Sequence, residues 1–74
     1  MSAIKDLCRE FPERGTKIIH DALVAHSWNY ERTAEAFALD PTHFRRIVEE
    51  LGCKDRFAVE QDAFRKRFRD PFGK

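Results

Sequence analysis

Apolar residues recur along the chain at the helical spacing i, i+3, i+4, i+7, and strand-like alternation is nowhere found, so the pattern predicts an all-α domain. Ile4, Leu7, Cys8 and Phe11 form a first stripe, on a helix with Ser2 as its N-cap. Pro12 closes that helix, because proline disfavours helical geometry in the residue before it. Ile19, Ala22, Leu23 and His26, backed by Ile18 and Ala25, form a second stripe on a helix opened by Gly15 and Thr16. Tyr30, Thr33, Ala34, Phe37 and Ala38 form a third, capped by Asn29. Phe44, Ile47, Val48 and Leu51 form a fourth, with the sharpest limits in the chain. There Asp40 can accept from the first free amides, Pro41 has the φ of a first helical position, and Gly52 suits a left-handed C-terminal cap, which predicts a helix over 41–51. Phe57, Gln61, Phe64 and Phe68 predict a fifth, from about Asp55 to Arg69, ended by Pro71. The sequence therefore predicts one compact five-helix domain over 1–74, with a trihelical helix-turn-helix core and a C-terminal amphipathic helix.

The join between the third and fourth helices carries the functional signal. Only Leu39 and Asp40 lie between the two stripes, which forces a sharp angle, as in a helix-turn-helix over about 29–52. Ala34 and Ala38 are small where the helices would approach, while Leu39, Phe44 and Ile47 are apolar where they must share a buried face. An ordinary corner in a helical bundle uses the same residues. On the fourth helix, Thr42, Arg45, Arg46, Glu49 and Glu50 point away from the apolar stripe. They form either a surface for DNA or a solvated face on which Arg45 pairs with Glu49 and Arg46 with Glu50.

Charge sharpens the picture at the C-terminus. The 74 residues carry a net charge of +1, but 1–39 and 40–52 each sum to −1 and 53–74 to +3. Residues 64–69 read Phe-Arg-Lys-Arg-Phe-Arg, placing Arg65, Lys66, Arg67 and Arg69 opposite a stripe of Phe57, Phe64 and Phe68. So apolar a stripe either folds back on the domain's own core or pairs with a second copy, making a homodimer. In both cases the cations face outward, along a phosphate backbone or simply into solvent.

The remaining chemistry is mostly exclusion. No nucleophile has a base and an orienting partner, no glycine-rich loop could hold phosphate, and no carboxylates form a recognisable pair, so a binding protein and not an enzyme is expected. Cys8 and Cys53 are read as reduced thiols. His20, His26 and His43 lack the spacing of metal ligands, so neither cofactor nor metal is expected. No apolar run is long enough for a signal peptide or a membrane span, which points to the cytoplasm, with the nucleoid as the expected place of a DNA-binding protein.

From Ile18 to Gly52 the chain resembles, without a gap, the Fis-type helix-turn-helix family of bacterial and phage DNA-binding proteins. The resemblance rests on Ala22-Leu23, Asn29, Ala34, Leu39, Phe44, Arg45-Arg46, Val48 and Leu51-Gly52. It implies that double-stranded DNA is the partner, that the helix from Pro41 to Leu51 enters the major groove, and that the contacts are Asn29, Thr42, His43, Arg45 and Arg46. The chain departs from that family in having Ala38 in the turn in place of glycine, Asp40 at the cap, and Glu49 and Glu50 where the recognition helix is usually basic. Residues 4–39 also look like a CUE domain, a ubiquitin-binding module of the UBA-like class, through Ile4, Leu7, Phe11-Pro12, Ile18-Ile19, Leu23, Asn29, Glu31, Ala34 and Phe37. That resemblance implies a protein partner. Its two gripping motifs are altered here, by Glu10 before Phe-Pro and by Phe37-Ala38 in place of two leucines.

Overall fold

The computed structural model of the chain describes residues 3–69, with the backbone alone at 68 and 69. Ser2 and Pro71 lie outside the described residues. Five helices follow in order: α1 (Ala3–Glu10), α2 (Pro12–Ala25), α3 (Tyr30–Ala36), α4 (Pro41–Glu50) and α5 (Lys54–Arg69), with no strand among the described residues. The fold is all-α, as the periodicity predicts.

The second helix begins three residues earlier than its glycine suggested. Pro12 stops α1 and also occupies the first position of α2, where its missing N–H leaves nothing unpaired, so only Phe11 separates the two helices. Gly15, expected as the opener, lies inside α2 for a steric reason. A Cβ there would stand 2.5 Å from Cys8 Sγ and 2.9 Å from Cys8 Cα, so glycine lets α1 cross close against α2. Phe11, expected on the buried stripe of α1, is 52% exposed.

Helices α2, α3 and α4 end in the same way. In each, the second residue past the cap donates its amide to a carbonyl five residues back: Trp28 to Leu23 (2.6 Å), Leu39 to Ala34 (2.8 Å) and Cys53 to Val48 (3.1 Å). The residue before it donates three back: Ser27 to Val24, Ala38 to Glu35 and Gly52 to Glu49. These are Schellman motifs, in which the residue after the cap turns left-handed. Ser27 (φ 58°), Ala38 (φ 57°) and Gly52 (φ 74°) do so, and Trp28 (φ 59°) follows Ser27 into the same region. The third helix is therefore shorter than its stripe. Phe37 is its cap and Ala38 its turn, so residues 37–40 join α3 to α4.

Ile4, Cys8, Ile19, Leu23, Trp28, Ala34, Phe44, Ile47, Val48, Cys53 and Phe57 form one core. Phe44 is fully buried at its centre, edge-on to the Tyr30 ring (5.7 Å) and stacked near Phe37 (6.0 Å). Thr33, polar and fully buried, donates its hydroxyl to the Asn29 carbonyl (2.8 Å) and so leaves no unmet donor. Cys8 and Cys53 are buried free thiols.

Helix α5 folds back. Phe57 is fully buried, 5.8 Å from the Trp28 and His20 rings, and Phe64 packs partly buried against the core. Polar ties fix the register: Gln61 Nε2 donates to the Trp28 carbonyl (2.9 Å) and His20 Nε2 meets Glu60 Oε1 at 2.8 Å. Phe57, expected as part of a possible homodimer surface, is thus taken up within the chain's own core. The side chain of Phe68 is outside the described residues.

Candidate nucleic-acid interface

Helix α4 is held by its caps and by one apolar face. Asp40 Oδ2 accepts from the Thr42 amide (3.0 Å), Pro41 opens the helix, and Phe44, Ile47 and Val48 are buried. At 100° per residue the other positions fall into an outer pole and two flanks. Thr42 is nearest the pole, with Arg46 and Glu49 about equally close to it on opposite sides, all three exposed. Arg45 lies beyond Glu49 on the flank toward α5, while half-buried His43 and Glu50 lie on the other, where Glu50 lines a cleft with Lys5 and Arg9 of α1.

The intrahelical pairs Arg45–Glu49 and Arg46–Glu50 do not occur. Glu49 pairs instead with Lys54 at 3.3 Å, and Arg46 has no ion pair among the described residues. The Arg45 guanidinium carbon sits 5.5 Å from the centre of the Tyr30 ring, a cation–π arrangement. Burial pushes the Tyr30 phenol up from its ordinary value, with the Arg45 charge pulling the other way, so the hydroxyl stays protonated and able to donate.

Asn29, expected to touch the DNA backbone, first serves as the N-cap of α3: its Oδ1 accepts from the Arg32 amide (2.9 Å). The Nδ2 donors of its exposed side chain have no partner among the described residues. Arg65, Lys66 and Arg67 are exposed on α5, Lys66 in a surface pair with Asp62 (3.3 Å), and the side chain of Arg69 is outside the described residues. The structure brings Arg45 and Arg65 into one cleft with Tyr30, joining two basic segments that are twenty residues apart in sequence. Tyr30 and Lys54 belong to this site and were not singled out as site residues in the sequence. Tyr30 reads as a core position of α3, and its ring is indeed half-buried, but it also lines the cleft.

The CUE-like surface is divided. Phe11 is exposed beside Pro12, whereas Phe37 is stacked on Phe44 of α4 and Ala38 is taken up by the turn. No group of three or more His, Cys, Asp or Glu side chains among the described residues could hold a metal ion. No described helix is long and apolar enough to cross a membrane. Comparison of the chain with protein-family models, with curated proteins and with solved structures gives no match.

Proposed function

We propose that the protein binds double-stranded DNA, with α4 as the helix that enters the major groove, and that it acts as a small regulator or architectural factor of a bacterium or phage. One observation carries this reading. Helix α4 is anchored by three buried side chains at the end of a tight turn, while its outer side presents Thr42 between Glu49 and Arg46, the latter with no ion pair among the described residues. An arginine so placed can donate two hydrogen bonds to the O6 and N7 edge of guanine. Of the two acids that follow it, Glu49 is paired with Lys54 and Glu50 lines the cleft with Lys5 and Arg9, while Arg65, Lys66 and Arg67 supply cations for phosphates.

The test is duplex binding at several salt concentrations. Replacing Arg46 with alanine should cost about 1–3 kcal/mol of discrimination between a selected and a random duplex. Neutralising the tail cations should weaken both duplexes alike, with the log–log salt slope falling by about 0.9 for each phosphate that is no longer neutralised. If neither variant differs from the wild type on either duplex, DNA is not the ligand. A second reading, a UBA-like protein-interaction module, is favoured by exposed Phe11 next to Pro12. An NMR titration with ubiquitin that shifts residues 8–12 and 36–39, while duplex DNA leaves residues 42–46 unmoved, would select it.

A further inference from the structure

The cleft between α4 and α5 encloses about 340 Å³ and is bordered by Tyr30 at the start of α3, Arg45 and Glu49 on α4, and Lys54 and Arg65 on α5. Its charge sets it apart. Three cations face one acid, and that acid is already paired with Lys54. The cleft between α1 and α4 has two cations to one acid, the one around His20 balances its fixed charges, and the one beside Leu39 has two acids to one cation. An anion is therefore drawn to the α4–α5 cleft before the others.

Arg45 is also placed differently from Arg46, although the two are adjacent in sequence. Arg46 stands on the outer side of α4, whereas Arg45 lies on the flank, its guanidinium laid against the Tyr30 ring at 5.5 Å, in the cleft that Arg65 also lines. A guanidinium held on an aromatic ring has lost part of its freedom before any ligand arrives, and its edge keeps its N–H donors.

We infer that this cleft is a phosphate-binding site, in which Arg45 and Arg65 together hold one phosphodiester group of a nucleic acid across α4 and α5, leaving Arg46 alone to read bases. The nucleic-acid source of the phosphate rests on the proposed function; the anion site itself does not. Arg45 is then a backbone clamp, and α5 is part of the binding surface and not only a cover for the core. Because both arginines serve one phosphate, their contributions are coupled.

The experiment is a double-mutant cycle of Arg45→Ala and Arg65→Ala in duplex binding across a salt series, with Arg46→Ala as the contrast. Arg65 is exposed, so its variant keeps the fold, and thermal melts check the others. Each clamp variant should bind about three- to tenfold more weakly, on selected and random duplex alike. The double variant should lose clearly less than the product of the two. Independent losses, or an Arg65→Ala variant that binds like the wild type, overturn the shared phosphate site while leaving DNA binding intact. If the wild type binds no duplex, an NMR titration with inorganic phosphate, against chloride at matched ionic strength, decides the matter. Shifts at Tyr30, Arg45 and Arg65 that vanish in Arg65→Ala then uphold the anion site and remove DNA as its ligand; no shift there overturns both.

Discussion

Replacing Ala38 with glycine should make the protein more stable, although glycine ordinarily weakens helical proteins. Ala38 is the left-handed residue of the turn between α3 and α4, at φ 57°, and its methyl group is exposed, so removing it forfeits no packing. An L-residue in that region costs about 1–2 kcal/mol. The greater freedom of glycine in the unfolded chain returns about 0.5–1 kcal/mol of that gain. The net effect is a stabilisation of about 0.5–1 kcal/mol, which in a domain of this size raises Tm by about 3–6 °C. Gly52 supplies the mirror experiment. It occupies the same place at the end of α4, and a Cβ there would meet nothing within 4 Å, so Gly52→Ala should lower Tm by a similar amount for conformational reasons alone. Circular dichroism melts of both variants measure the pair. An Ala38→Gly variant that melts at or below the wild-type temperature, with unchanged helicity, would refute the assignment of strain to this turn.

Other perturbations test other parts of the structure. Phe44→Ala removes a fully buried ring between Tyr30 and Phe37 and should cost about 3–5 kcal/mol, visible as a collapsed urea midpoint or as outright unfolding. Gly15→Ala should destabilise by about 1–3 kcal/mol despite alanine's better helix propensity, because the new methyl group strikes Cys8. Cys8→Ala in the same chain should restore only part of the loss, since the Cys8 Cα is itself 2.9 Å away. The hydrogen bond to Glu60 raises His20 above its usual 6.5, against a smaller opposing effect of burial, with Asp21 at the other ring nitrogen adding to the rise. The stability this contributes is full below pH 6.5 and is lost as pH rises through the elevated folded value. Urea midpoints at about pH 6 and pH 8.5 should therefore differ more for the wild type than for His20→Gln, and equal differences would remove the His20–Glu60 tie from the account.

The elements most legible in the sequence were those whose ends are written in local chemistry. Asp40, Pro41 and Gly52 act within a residue or two of themselves, and α4 occupies 41–50, with Leu51 as its cap. Pro12 was legible only as a stop, because its second role depends on a following helix whose stripe starts seven residues later, at Ile19. Gly15 misled for a related reason: a glycine needed for close approach looks the same in sequence as one that opens a helix, and only the position of Cys8 separates them. The outward face of α4 could be read from angles alone. That Arg45 rests on Tyr30 and shares a cleft with Arg65 could not, because α5 reaches that cleft through Phe57, His20 and Trp28, contacts set by tertiary packing and not by spacing.

The repeated helix ending also bears on how the chain assembles. Each of the three endings closes through hydrogen bonds spanning only a few residues, so each is local enough to form early. They are not equally cheap, however. The turn at Gly52 needs no strained residue, whereas those at Ser27-Trp28 and Ala38 hold L-residues left-handed and persist because Trp28 and Leu39 are drawn against the core. The α4–α5 corner should then be formed in the folding transition state, and the other two should close as the core condenses. In stopped-flow kinetics Gly52→Ala slows folding, while the extra stability of Ala38→Gly appears as slower unfolding. The order of assembly would thus be set by which turn residue happens to be glycine.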